Sequence, residues 1–360
     1  MRAAIFRHGD IVVDTVADLR PAEGQVLVKT LCCGICGTDL HAAKHTAQFA
    51  DRSRRSGGRL SMDPTRDVVF GHEFCCEIVE RGPGTDGRLK PGTLVCSMPM
   101  TIADKTVQGI GYSNDVAGGF AQYMPLAERL LLEVPNGLPA DKAALTEPIA
   151  VGWHAVQNAR LAADDVPLVI GCGPVGLAVI AGLAIRNVHP IIAADFSPAR
   201  RALALRMGAD VVVDPGKTSP YQSWQEAATP PDYDGSRYAQ LFGSGPKQRP
   251  AVIFECVGVP GVIQQIIAGA PPSARIVVVG VCMETDRFEP FFGIVKQINL
   301  QFVLGYTGEE FAASLRNIAE GKVDVAPLIT GHVGLDGVKG AFGELANPER
   351  HAKVMVEPWA

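Results

Sequence analysis

The sequence predicts an α/β protein with a β-rich, barrel-like domain and a doubly wound domain built on a parallel sheet. Three observations lead there. The chain has 360 residues, more than one core ordinarily holds, so two domains are expected. Up to about residue 138, short β-favouring runs follow one another with frequent Gly and Pro between them. From Pro167 to about residue 300, runs apolar on both faces alternate with helical patterns, as a parallel sheet buried on both sides requires.

In chain order, AAIF (3–6), DIVVD (10–14) and QVLVKTL (25–31) carry the branched and aliphatic residues that suit a pleated sheet. Pro21, Gly24 and Gly34 punctuate them. FCCEIVERG (74–82), TLVCSMP (93–99), GFAQYMPL (119–126) and LLLEVPNGL (130–138) continue the pattern. At 139–159 the texture becomes helical, with Asp141 expected as the cap. The parallel strands are expected at 167–170, 190–195, 209–215, 251–258, 274–281 and 298–306. The tail returns to one helix (309–323) and short segments before KVMVEP (353–358), expected to pack back on the β-rich part. The boundaries read as 1–152 plus 301–360 for the β-rich domain and 153–300 for the parallel-sheet domain. Two polar stretches, 43–67 and 215–250, read as long loops serving as lids, interface excursions or mobile segments.

Composition excludes several classes. Acidic residues outnumber basic ones, 38 to 33, for a net charge of −5, which disfavours nucleic-acid binding by bulk positive charge. Apolar residues at 47% and charged residues at 20% fit a globular protein rather than a disordered one. The longest apolar runs, such as 176–185, are too short to cross a bilayer, and MRAAIFRHGD lacks the apolar stretch of a secretory signal. Nine cysteines, an odd count, point to reduced thiols and a cytoplasmic location. Neither a nucleic-acid nor a membrane partner is expected.

Gly171-Cys172-Gly173-Pro174-Val175-Gly176 lies between an apolar strand and an apolar helix. Gly171 permits a tight turn, Gly173 lets the backbone approach a pyrophosphate, and Gly176 lets helix and strand pack closely. Unpaired N–H groups at the start of the helix suit the phosphates. Asp195, ending the next apolar run, is placed to accept from a ribose 2′-OH and to repel a 2′-phosphate, favouring NAD over NADP. Arg200 and Arg201 are the counter-signal, since an arginine here can accommodate that phosphate; packing by the adenosine edge and plain helix surface are their other roles.

Cys36, in GICGTDLH, and His72, in GHE, supply the two ligand types that zinc prefers. A catalytic site needs three protein ligands, and Glu147, in Thr146-Glu147-Pro148, is placed as the third. Glu73 is the second candidate, adjacent to the histidine. Taken singly, these are a buried thiol, a core histidine and two surface glutamates. Their order, followed by the glycine fingerprint, gives them weight together.

That combination resembles the zinc-containing medium-chain alcohol/polyol dehydrogenases, the group that includes sorbitol, threonine, butanediol and glucose dehydrogenases. The resemblance covers nearly the whole chain: CGICGTDLH, GHEF, GGFAQYM, the TEP helix, GCGPVG with Asp195, and APLITGHV…AF. It implies a GroES-like catalytic domain, a Rossmann nucleotide domain, NAD, and one catalytic zinc. Cys36 and His72 match the catalytic-zinc ligands, and Glu147 the glutamate of the polyol branch. Glu73 matches a residue that in some relatives binds the zinc directly. Thr38 matches the hydroxyl that links substrate to a proton relay, His41 the relay's outer member, and Asp39 a carboxylate that orients the zinc-bound histidine. The implied reaction is hydride transfer between a secondary alcohol or polyol, or the matching ketone, and NAD(H).

The departures matter too. Where relatives carry four cysteines for a structural zinc, this chain has only Cys96, so no structural zinc is expected. Cys32, Cys33, Cys75 and Cys76 read as core thiols, because adjacent residues on a strand face opposite ways. The 43–67 insertion carries Arg52, Arg54, Arg55 and Arg59, read as a solvated lid or as a cluster that steers an anionic substrate. Relatives pair through edge strands, so a homodimer or homotetramer is expected, with IVVVGV or INLQFVL as the apolar edge. Two rival readings stand: a zinc-free NADPH-dependent enone or quinone reductase of the same superfamily, and a non-catalytic dinucleotide-binding protein.

Overall fold

An antiparallel hairpin, β1 (Arg2–Arg7) and β2 (Asp10–Thr15), opens the chain, with β1 buried through its middle. The computed structural model describes residues 1–57, 62–103, 106–236 and 247–360. They fall into two units, Met1–Ala150 with Thr307–Ala360, and Val151–Tyr306.

In the first unit β3 (Gln25–Gly34) is followed by helices α1 (Gly37–Lys44) and α2 (Thr46–Arg55), then β4 (Glu73–Arg81) and β5 (Leu94–Ser97). A small hairpin, β6 (Met100–Ala103) and β7 (Thr106–Gly109), precedes β8 (Tyr123–Ala127) and β9 (Leu131–Glu133). Helices α3 (Ala140–Ala144) and α4 (Thr146–Asn158) follow. The single helix expected over 139–159 is thus two, and Asp141 does not cap it: α3 starts after Pro139, whose fixed φ suits a helix start.

The second unit holds β10 (Val166–Ile170), α5 (Pro174–Ile185), β11 (Ile192–Ala194), α6 (Pro198–Arg206), β12 (Val211–Val213) and α7 (Pro220–Ala228). It continues with β13 (Ala251–Glu255), α8 (Val262–Gly269), β14 (Arg275–Val278), α9 (Pro290–Lys296) and β15 (Asn299–Phe302). Its six strands are all parallel, in the order β12-β11-β10-β13-β14-β15. IVVVGV, expected as a candidate edge, is therefore interior, and INLQFVL alone forms that edge. The reason is chain order: once β14 is laid down, β15 pairs on its open side.

The chain then returns to the first unit through α10 (Gly308–Ala319), β16 (Ile329–Val333), α11 (Val338–Glu344) and β17 (Lys353–Val356). Strand β17 pairs antiparallel with β3, and the unit's main sheet runs β16-β17-β3-β4-β5-β9, with β8 also on β3. Cys32 and Cys75 face each other across β3 and β4. Cys32, Cys33, Cys75 and Cys76 are all buried and unpaired, and burial pushes the Cys33 and Cys76 thiols well up, which keeps them unreactive.

Neither insertion is a loop throughout. Within 43–67, α2 is built from good helix formers around one buried apolar residue, Phe49. Within 215–250, α7 carries Trp224 into the core of the parallel sheet, where its Nε1–H donates to the Val166 carbonyl at 2.9 Å. Their polar composition conceals this: α2 buries only Phe49, and α7 buries Trp224 and Ala228 within a mostly polar segment. Residues 58–61 and 237–246, including Arg59, lie outside the described residues. Truncating Trp224 to Ala removes a nearly full core side chain and its hydrogen bond, so a loss of about 3–5 kcal/mol is expected. Urea unfolding followed by tryptophan-independent circular dichroism checks it; an unchanged midpoint would show that α7 is not part of the core.

Candidate functional site

Gly34, the last residue of β3, and Glu73, the first of β4, are partners in the antiparallel ladder. That register carries residues just past β3 up against residues just before β4. Ligand atoms of Cys36, His72 and Glu73 accordingly lie within 4.8 Å of one another. Among the described residues this is the one such group of three or more. Glu147, at the first turn of α4, lies outside the trio; its charge nonetheless contributes to raising the pKa values of Lys353 and Tyr112.

Asp39 ties two of the three together. It is fully buried at the third position of α1. Its Oδ2 accepts from the Cys36 backbone N–H at 3.0 Å, which fixes the start of the helix. Its Oδ1 accepts from the Tyr112 hydroxyl at 2.9 Å and lies 3.3 Å from His72 Nδ1. The last contact is close but poorly aligned, so the buried Nδ1 has no hydrogen bond. Burial works to lower the His72 pKa, yet the negative charges of Asp39 and Cys36 hold it well above its ordinary value. With Nδ1 turned to Asp39, Nε2 is left for a cation. The site's electrostatics and its donors fit a divalent metal: a thiolate, an imidazole and a carboxylate crowd together, and zinc takes all three.

Glu73 carries a further tie. Lys353 Nζ, at the start of β17, donates to both its carboxylate oxygens at 2.7 and 2.6 Å and to the Ile35 carbonyl at 3.1 Å. Both side chains are 1% exposed. Burial pulls the lysine's pKa down, but Glu73 and the neighbouring anions outweigh it, and the ammonium is retained. A Cβ at position 34 would collide with Glu73 Oε2, so only glycine fits beside this carboxylate.

Thr38 and His41 sit on α1, half-buried and one turn apart. Burial first, then the charges of His45 and Lys44, lowers the His41 pKa, so its imidazole is neutral and able to take a proton at neutral pH. Arg54 and Arg55 are exposed and both pair with Asp51, which offsets the charge of the arginine cluster.

In the second unit, the strand-turn-helix of the glycine fingerprint runs from β10 to α5. Gly171 has φ +93°, and Gly176 abuts its carbonyl. Gly173 caps α5 without any side-chain hydrogen bond, and Pro174 and Val175 begin the helix half-buried, leaving the first N–H groups unclaimed by side chains. A Cβ at Gly173 would meet only Arg200 Nη1, at 4.0 Å, so the turn is an open cradle. Arg200 Nε is buried with no hydrogen-bond partner, whereas Arg201 is committed to the Asp195 and Phe196 carbonyls. Asp195 accepts from the Cys172 and Ser197 N–H groups, one on each oxygen, leaving lone pairs on both.

Fold and site define a dinucleotide-linked dehydrogenase with a metal-type cluster, and comparison with known proteins agrees. The family model described as "Alcohol dehydrogenase GroES-like domain" matches residues 22–136, and that described as "Zinc-binding dehydrogenase" matches 174–320. The chain is 30% identical to the (R,R)-butanediol dehydrogenase of Bacillus subtilis over 99% of its own length and 100% of the relative's. It is 27% identical to the L-threonine 3-dehydrogenase of Pyrococcus furiosus, covering 93% and 92%. A crystal structure of the 2R,3R-butanediol dehydrogenase from Bacillus subtilis superposes with a TM-score of 0.77 at 29% identity, covering 99% of both chains. The protein belongs to the zinc-dependent medium-chain alcohol/polyol dehydrogenase family and is an oxidoreductase of that class.

Sequence reading missed Lys353, which is signalled only by being a lysine that opens an otherwise apolar run, KVMV; Tyr112 reads from the sequence only as an aromatic side chain that shapes the pocket, with no place assigned to it. Removing Lys353's charge alone leaves Glu73 buried and unpaired. Lys353→Met is therefore expected to destabilise the metal-free protein by about 3–5 kcal/mol, and adding Glu73→Gln to recover part of that. Equal urea midpoints for Lys353→Met and the parent would contradict the pairing.

Proposed function

We propose that this protein is a zinc-dependent, NAD(H)-linked dehydrogenase of secondary alcohols, with vicinal diols and their hydroxyketones as substrate class. The observation that carries the reading is the convergence of Cys36, His72 and Glu73 in a chain of this family. The diol assignment follows the (R,R)-butanediol dehydrogenase that matches over its whole length.

Cys36 and His72 would hold the zinc, with Glu73 or Glu147 as third protein ligand. Bound there, the ion would supply a Lewis acid for the alcohol or carbonyl oxygen. Asp39 orients His72 and the helix that presents Cys36. Thr38 binds the substrate hydroxyl and passes its proton toward His41, whose neutral imidazole releases it to solvent. Gly171, Gly173, Pro174, Val175 and Gly176 form the cradle for the pyrophosphate, and Arg200 brings a positive charge to it. Asp195 accepts from the ribose hydroxyls and repels a 2′-phosphate, which supports NAD. Cys96 is the sole cysteine of the stretch 91–120, which supports a single zinc per chain.

The edge strand β15, the residues just after it and helix α9 expose Phe291, Ile294, Val295, Phe302 and Leu304, apolar side chains that support a homo-oligomer. No helix among the described residues is long and apolar enough to cross a membrane. Nine free cysteines support a reducing compartment, the cytoplasm.

Metal analysis of protein purified without added metal should give about one zinc per chain, and a panel of secondary alcohols should reduce NAD, vicinal diols fastest. His41→Gln should slow turnover by about 10–100-fold with cofactor binding intact. Asp195→Gly should narrow an NAD preference of tenfold or more in kcat/KM toward parity. Metal-free protein that turns over only conjugated enones with NADPH would overturn the proposal.

A further inference from the structure

We propose that the Tyr112 hydroxyl competes with His72 for Asp39 Oδ1, and so loosens the grip of the metal site on its ion. The inference rests on the zinc reading above. Tyr112 acts through Asp39 and is a positioning residue.

The geometry is a shared acceptor. Asp39 has no exposure to water, so its oxygens are satisfied only by the groups around them. Oδ2 is taken by the Cys36 N–H. Oδ1 has two claimants, and they are unequal: the Tyr112 hydroxyl makes a hydrogen bond at 2.9 Å, while His72 Nδ1 sits at 3.3 Å with none. A carboxylate that polarises the far nitrogen of a ligating imidazole strengthens that imidazole as a donor. A phenol on the same oxygen draws off part of that negative charge, and the imidazole becomes a weaker ligand.

The phenol is held in place. Its ring lies 5.3 Å from that of Phe49, 6.1 Å from Phe70 and 5.2 Å from the His72 imidazole, centroid to centroid. Burial and the charges of Asp39 and Cys36 push its pKa well up, so it remains a donor throughout the working pH range. Phe49 comes from α2, within the 43–67 insertion, and Tyr112 from the short stretch after β7. The two stretches where this sequence departs from the family pattern therefore meet at the Tyr112 ring, whose hydroxyl reaches the carboxylate behind the metal site.

The test is Tyr112→Phe, which keeps the ring and removes only the hydroxyl. Zinc-loaded parent and variant are mixed with excess chromophoric chelator, and both are also exchanged with cobalt(II) for their absorption spectra. Direct partners of ligating histidines change metal affinity by about 10–100-fold; acting one bond further out, Tyr112→Phe should slow zinc release by about 3–10-fold and shift the cobalt bands. Phe49→Leu, which frees the ring but keeps the hydroxyl, should slow release in the same direction by less. Unchanged or faster release in Tyr112→Phe, with an unaltered cobalt spectrum, overturns the proposal and leaves the zinc reading intact. A parent protein that binds neither ion overturns the zinc reading, and this proposal with it.

Discussion

The register of β3 against β4 is the constraint on which the site depends. Pairing Gly34 with Glu73 sets the ends of the two strands level, and residues 36 and 72 become neighbours. A slip of one residue would turn every side chain on β4 to the other face and scatter the three ligand atoms. The same sheet brings in the third tie, since β17 pairs Met355 with Gly34 and delivers Lys353 to Glu73 from the opposite edge. Hydrogen-bonded strands thus anchor the short turns that carry Cys36 and His72, which suits a site that must hold its shape.

Around that frame the charges are arranged in pairs. Glu73 is answered by Lys353, and Asp39 is shared among the Cys36 N–H, Tyr112 and His72. Each buried anion has at least one donor fixed on it, as low-dielectric surroundings require. Between these pairs, the Cys36 sulfur and the His72 ring lie within ligand distance of each other and of Glu73. In the second unit the corresponding feature is the empty side of the Gly173 turn, with Arg200 Nε lacking a partner. The donor set of the first unit suits a divalent cation, and the helix start with Arg200 in the second suits a phosphate.

Much of this was readable in advance. Strands with both faces buried are continuously apolar, and the six of the parallel sheet stood out for that reason. Cys36 and His72 were legible through the order of their motifs ahead of the glycine fingerprint; Glu73 stood second to Glu147 as a candidate ligand, and Glu73 is the one that lies with them. The contacts of Tyr112 with Asp39 and of Lys353 with Glu73 were not legible, since a hydrogen bond across the fold leaves no mark on sequence spacing. Helices α2 and α7 were hidden because few apolar residues anchor them, Phe49 in α2 and Trp224 with Ala228 in α7, within long polar stretches. The order of β14 and β15 within the sheet is likewise a matter of assembly, not of local pattern.

X-ray absorption at the zinc edge, on protein purified without added metal, tests the central claim most directly. One sulfur scatterer at about 2.3 Å with nitrogen and oxygen near 2.0–2.2 Å is the predicted first shell, and Cys36→Ser should remove the sulfur contribution. A shell with several sulfurs, a shell with none, or a sulfur signal that survives Cys36→Ser would contradict the account.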